Sequence, residues 1–452
     1  MKRQLLLNAF HMNTVGHQSP GLWTHPRDRS RHYTDLGQWA ELARTLERGL
    51  FDGLFLADVL GVYDVYGGNR NAALKHAVQV PVNDPCLLIP AMALVTEHLG
   101  FGVTCTLSYE PPYPFARRMS TLDHLTKGRI GWNIVTGYLD SAAKGMGQTG
   151  QKSHDRRYDV AEDYMAVVYK LWEGSWADDA VKADKLTRVF ADPDRIRAVR
   201  HQGEFYQLDA IHLSEPSPQR TPVLYQAGAS GRGRSFAAAH AECVFINGPT
   251  PEIIGPYVTD IRKQAVKFGR ASDDIRILTM ATVIVGRDDK EAAAKHEEYR
   301  RYVDHEAALA LLSGWMGIDL AKYPLDDVLR PEPTEASHSV VAAFTTPDRP
   351  WTMRQLAEKA AIGGRGPVFV GDPERVAEDM LAFADRTGVD GFNLAYAVMP
   401  ESFTDFIDLV IPELQRRGRY KTAYAPGTLR EKLFAGGARL PRTHPAAGYR
   451  FE

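Results

Sequence analysis

The 452-residue chain lacks the features that mark several large protein classes. It has three cysteines, Cys86, Cys105 and Cys243, with no CxxC pair and no spacing that suits a disulfide framework. Thiols used as small core residues fit a reducing, cytoplasmic setting. Charge of one sign is also missing. Lys and Arg number 54 against 56 Asp and Glu, a formal net charge of −2, without the basic excess of a nucleic-acid binder. The longest apolar run, 86–95, is broken by Pro90 and falls well short of the ~20 residues that cross a membrane. MKRQLLLNAF has no long apolar core and no small-residue cleavage site, so it reads as a first buried strand and not as a signal peptide. HExxH, GxSxG and GxxxxGK[ST] are absent, which removes the commonest zinc-protease, serine-hydrolase and P-loop signatures.

What remains is the composition of an ordinary globular protein, 44% hydrophobic and 24% charged. Length alone suggests about three domains. The patterning suggests one. Short apolar runs alternate with amphipathic stretches, and eight runs read as strands: 5–10, 53–57, 101–107, 130–135, 223–226, 243–246, 275–285 and 392–395. Helical stretches follow them. Thr34–Gly49 has Thr34 suited to the N-cap, 290–312 reads as one helix, and 402–418 should kink at Pro412. Nearly continuous apolar strands imply burial on both faces, and eight β/α units in succession imply an α/β fold of the (β/α)8 barrel type. A doubly wound sheet is the alternative. Three segments break the repeat: 173–221, with a possible hairpin at 201–206; 319–365; and a loop-like tail at 419–452. The expectation is a single barrel domain over 1–452 carrying two insertions and this tail.

Barrel enzymes place their chemistry at the C-terminal ends of strands. That rule selects Asp58, Thr104, Asn133, Thr136 and Gln226, each of which could equally be a satisfied structural polar group. The loop Gly228–Gly233 follows a strand and opens a helix, so Ser230 and the free N–H groups there suit one phosphate; an ordinary turn is the bland alternative. His154 and Tyr158 share a face at i,i+4 near a helix start. A formal GxGxxG at 145–150 is not flanked by strand and helix as the dinucleotide fingerprint requires. Four histidines, His11, His17, His25 and His32, lie in the first β-to-α loop with gaps too irregular for a metal. A substrate-facing His17 is the more plausible use.

Six segments together resemble the bacterial luciferase-like, flavin-dependent monooxygenases, in the nitrilotriacetate and dibenzothiophene-sulfone monooxygenase subgroup. They are RTLERGLFDGLFLAD (44–58), MALVTEHLGFGVT (92–104), RRMSTLDHLTKGRIGWNIVT (117–136), HDRRYDVAEDYMAVVYKLW (154–172), EPSPQRTPVLYQAGASGRGRSFAAAHAE (215–242) and VDGFNLAYAVMPESFTDFIDLVIPELQRRG (389–418). LNAF, ADVLGVYDVY and VPVNDP are similar to the dimethyl sulfide and long-chain alkane branches, and GGRGPVFVG to the former. The chain departs from both branches at Thr14, where they carry cysteine, and from the alkane branch at Tyr138 and Leu311, where that branch carries histidine.

The resemblance implies FMN, used as FMNH2 together with O2, and a separate NAD(P)H:flavin reductase that supplies it. It implies Asp58, Thr104, His154, Tyr158 and Ser230 as flavin-binding positions. His17, Tyr63 and Tyr138 are the candidates to hydrogen-bond the oxidant or the substrate, and the ordinary histidine pKa would suit His17 to proton donation. The expected substrate is a small apolar organic molecule, foremost an organosulfur compound such as dimethyl sulfide. Alkane hydroxylation or another C–heteroatom cleavage is the alternative. A non-catalytic flavin-binding protein and a deazaflavin-dependent dehydrogenase are the rival classes. A homodimer or homotetramer is implied, with no nucleic-acid or membrane partner.

Overall fold

The computed structural model describes residues 3–228, 230–328, 351–434 and 436–451, so 329–350 of the expected second insertion lie outside the described residues. The strands, in chain order, are β1 (Leu6–Met12), β2 (Gly53–Ala57), β3 (Gly100–Thr106), β4 (Ile130–Val135), β5 (Val181–Asp184), β6 (Val189–Ala191), β7 (Val199–Gln202), β8 (Gln207–Ala210), β9 (Val223–Ala227), β10 (Cys243–Ile246), β11 (Arg276–Val285), β12 (Val368–Gly371) and β13 (Gly391–Ala395). Eight of them run parallel in the order β10-β9-β4-β3-β2-β1-β13-β11, and β10 pairs with β11 to close the barrel. These are the eight runs read from the sequence. The closed sheet, with helices after its strands, is an α/β (β/α)8 barrel.

The barrel interior is filled by large rings against small neighbours. Phe55 packs on Tyr225 at 5.4 Å and on Phe245 at 5.7 Å between ring centroids. Gly131 faces Tyr225 so closely that a Cβ there would lie 2.5 Å from the ring, so only glycine leaves room. This is the filled core of such barrels and not a pore.

Several local readings need correction. Asp35, not Thr34, caps the first helix (Leu36–Arg48), accepting from Gly37 N. The expected helix 290–312 is two, Asp289–Arg300 and His305–Met316, because Asp304 caps a second start by accepting from Ala307 N. Near Pro412 the last helix does not simply kink. It widens into a π turn at Phe406–Val410 before resuming as Ile411–Arg416, which absorbs the proline's missing N–H. β12 was not foreseen. It pairs with the C-terminal half of β11 beyond the barrel wall, which explains why β11 spans ten residues. The first insertion holds two hairpins, β5–β6 and β7–β8, the second at the expected place.

The tail is more than a loop. It contains the helix Leu429–Phe434, whose Leu429 and Leu433 join the interior cluster of Phe55, Tyr225 and Phe245. Arg430 on that helix is buried and paired with Glu242 at 2.6 Å. The tail thus closes the N-terminal mouth of its own barrel and leaves chemistry to the other end.

Candidate active site

At the C-terminal ends of the strands lies a cavity of about 630 Å³. It is lined by all eight residues singled out from the sequence: His17 after β1, Asp58 and Tyr63 after β2, Thr104 in β3, Tyr138 after β4, His154 and Tyr158 on the helix His154–Gly174, and Ser230 after β9. Asn133, Thr136 and Gln226 line it as well. Of the other three histidines, His11 lies within β1 and not in the loop, beside Tyr396, and His25 pairs with Glu298; neither they nor His32 line the cavity. Gly145 merely ends the short helix Asp140–Gly145, so the GxGxxG match is no nucleotide loop.

One pole of the cavity is prepared for an anion. Ser230 caps the helix Gly231–His240, its Oγ accepting from Gly233 N at 3.0 Å and lying 3.2 Å from His154 Nε2. His154 is the first residue of its own helix and Tyr158 lies one turn on, with ring centroids 5.2 Å apart. Two helix N-termini therefore meet at one place, and their dipoles favour negative charge. Gly233 is required there: a Cβ would stand 2.8 Å from the Tyr158 hydroxyl and 2.9 Å from Ser230 Oγ.

The middle of the cavity offers hydrogen-bond acceptors. Asn133 Nδ2 donates to Thr104 Oγ1 at 2.9 Å, which leaves Asn133 Oδ1 buried without a donor, and Gln226 Oε1 is in the same state. A buried unmet acceptor is costly unless a ligand satisfies it. Asp58 sits beside them, half-buried. Burial, then the Asp84 carboxylate, push its pKa up to about 7 against the pull of the Val59 N–H. It can therefore hold or release a proton near neutrality.

A chain of polar groups forms the remaining wall. Tyr138 and Tyr63 oxygens are 2.7 Å apart, Tyr63 donates to Gln79 Oε1 at 2.9 Å, and Gln79 Nε2 donates to the His17 carbonyl at 2.9 Å. Burial, and then neighbouring His11, hold the His17 imidazole well below its usual pKa. The expectation of an imidazolium donor is thus corrected: His17 is neutral, with Nε2 3.1 Å from Gln18 Nε2 and Nδ1 unmet. Burial raises both phenols, so Tyr63 and Tyr138 keep their protons.

Residues 9–391 match the family of luciferase-like monooxygenases. The chain belongs to that family. It is 51% identical over 453 residues to the dimethyl-sulfide monooxygenase of Hyphomicrobium sulfonivorans, covering 100% of this chain and 94% of the relative. It is 48% identical over 451 residues to the long-chain alkane monooxygenase of Geobacillus thermodenitrificans (strain NG80-2), covering 100% of this chain and 99% of the relative. The crystal structure of a riboflavin lyase with modified FMN and riboflavin is similar with a TM-score of 0.94 at 36% identity, each chain covered to 100%.

Within this luciferase-like monooxygenase, only one of the three departures noted above faces the cavity. Tyr138 does; Thr14 is buried and spends its hydroxyl on the Pro81 carbonyl at 2.6 Å, and Leu311 is fully buried in the helix His305–Met316. Gln79, Trp315 and Arg365 are among the lining residues that escaped the sequence reading. Gln79 sits at φ 51°, a left-handed conformation uncommon for a residue with a Cβ, and this aims its amide at Tyr63 and the His17 carbonyl together. Among the described residues no helix is long and apolar enough to cross a membrane.

Proposed function

We propose that the protein is the oxygenase of a two-component system, using FMNH2 and O2 to oxidise a small organosulfur compound. The observation that carries this reading is the meeting of an anion-binding pole, unmet acceptors and a neutral polar chain in one cavity. The donor set suits the flavin nucleotide. Ser230, His154 and Tyr158 would hold its phosphate. Asn133 and Gln226 would accept from the N–H and ribityl O–H donors of a reduced flavin, with Thr104 and Asp58 beside the ring. Reduced FMN, when bound, supplies the two electrons that let O2 give one oxygen atom to the substrate and the other to water.

The residues of this chain do the rest. Asp58 holds a proton beside the ring. Tyr138 and Tyr63 orient the substrate, and the aromatic walls exclude water. Hydroxylation of a carbon next to sulfur gives a hemithioacetal; its O–H proton passes to sulfur as the C–S bond breaks, leaving a thiol and an aldehyde. Dimethyl sulfide is the simplest such substrate. Tyr138, standing in the cavity where the alkane branch carries histidine, favours a sulfide over an alkane.

A separate NAD(P)H:flavin reductase delivers the flavin by diffusion, and a homodimer or homotetramer is the working form. The test supplies photoreduced FMN, O2 and a panel of sulfides, sulfones, alkanes and amines without a reductase. Product from a sulfide is expected. Tight binding of oxidised FMN with no oxygen-dependent product from any of them would instead identify a flavin-binding protein.

A further inference from the structure

Several buried arginines among the described residues are held by a carboxylate or by three or more carbonyls. Arg430 pairs with Glu242 at 2.6 Å. Arg129 donates to the carbonyls of Thr126, Leu99, Ala93 and Thr96 at 2.9–3.0 Å. Arg270 reaches the carbonyls of Ala238, Ala239 and Asp274. Arg365, in the cavity wall, has no carboxylate partner among the described residues. Its guanidinium lies 4.6 Å over the Trp315 ring, its Nη2 is 3.2 Å from the Asn247 side-chain amide, and its Nε has no acceptor. A guanidinium stays charged even where burial disfavours it, so a half-buried one in a cavity wall, without a carboxylate partner among the described residues, is poised for an anion. Its charge is felt at the Tyr63 and Tyr138 phenols, which places it beside the polar chain and not among the groups that cap the Ser230 helix.

We propose that Arg365 determines the substrate class of the cavity by binding the oxyanion, carboxylate or sulfonate, of a thioether acid. This rests on the monooxygenase reading above but replaces dimethyl sulfide within the organosulfur class: the molecule oxidised has an apolar thioether body and one anionic end. The fork of N–H donors on a guanidinium matches the paired oxygens of such a group, and Trp315 would hold the guanidinium plane in place by stacking. A neutral sulfide would leave Nε unmet.

Calorimetric titration tests this without turnover, so its failure is distinct from failure of the oxygenase reading. The full chain, with and without oxidised FMN, is titrated with (methylthio)acetate, with methanesulfonate and with neutral 2-(methylthio)ethanol. At least one of the two anions is expected to bind tenfold or more tighter than the alcohol, and which one does so assigns carboxylate or sulfonate. Arg365→Gln should abolish that preference while leaving the affinity for FMN and the weak binding of the alcohol unchanged. Arg365→Lys should keep part of it, which guards against a folding defect. Absence of any anion preference in the unmodified protein overturns the proposal. So does an Arg365→Gln variant that loses FMN affinity instead, because the arginine would then serve the flavin.

Discussion

The phenol oxygens of Tyr63 and Tyr138 lie 2.7 Å apart, and the direction of the bond between them is fixed. Gln79 spends its N–H on the His17 carbonyl, so its oxygen must receive the Tyr63 proton. Tyr138 therefore donates to Tyr63 and turns its lone pairs to the cavity. Removing the Tyr63 hydroxyl strands Gln79 Oε1 and lets the Tyr138 proton point elsewhere. Tyr63→Phe should lower kcat by ~10²-fold with little change in KM, the size of loss that a misplaced orienting group causes. It should also cost about 1–3 kcal/mol of stability for the unmet acceptor. Steady-state assays with photoreduced FMN and urea unfolding measure the two effects. An unchanged kcat beside the stability loss would make the chain purely structural.

At the anion pole, Ser230→Ala removes both a helix cap and the proposed phosphate partner. The cap loss should cost about 1 kcal/mol in unfolding. The lost hydrogen bond to a charged oxygen should weaken reduced-FMN binding ~10-fold. Gly233→Ala separates the two roles. It leaves the Ser230 hydroxyl in place but drives a methyl towards Ser230 Oγ and the Tyr158 hydroxyl. Flavin affinity should again fall, measured by fluorescence quenching under anaerobic conditions. Full affinity in both variants would remove the phosphate assignment.

How much of this was legible in the sequence depends on what fixes each residue. The eight barrel strands announce themselves because strands such as β1, β2 and β10, buried on both faces, read as nearly unbroken apolar runs. Asp58 stands out because it ends such a run, where a polar residue needs a reason, and Ser230 because it sits in a glycine-rich loop between a strand and a helix. Gln79, Trp315 and Arg365 do not. They come from connections whose course is set by packing between distant segments, as where the helices His305–Met316 and Met353–Ala361 join one apolar cluster beside Tyr63. β12 was lost because four residues after a glycine-rich turn carry too little periodicity to separate from a loop. The state of His17 is likewise invisible until the burial that lowers its pKa is known.

Asp58 gives a pH signature with a definite sign. Its folded pKa, about 7, lies above the ~3.9 of an unfolded aspartate. The native state then holds the proton over that interval while the unfolded chain has lost it, so stability falls as pH rises between the two values. Asp58→Asn removes the penalty. Its melting temperature should exceed that of the unmodified protein at pH 8, and the gap should shrink steadily towards pH 5. A gap that stays constant across this range would mean that Asp58 is ionised throughout, and the cavity would then lack the proton holder assigned to it.

The tail helix makes a separate, wholly structural prediction. Arg430 approaches Glu242 at 2.6 Å and also donates to the carbonyls of Thr221 and Pro222 at 2.9 and 3.1 Å, while Glu242 accepts from Leu224 N at 2.9 Å. The pair ties the tail to the floor of the barrel at β9. Arg430→Met keeps most of the packing but strands a buried carboxylate, which should cost about 3–5 kcal/mol. Adding Glu242→Gln removes the stranded charge and should recover a large part of the loss, because an ion pair buried this deeply is costly chiefly when half of it is removed. Urea unfolding of the two single variants and the double variant measures the coupling. Losses that simply add would show that the tail is held by Leu429 and Leu433 in the aromatic core, with the ion pair contributing nothing of its own.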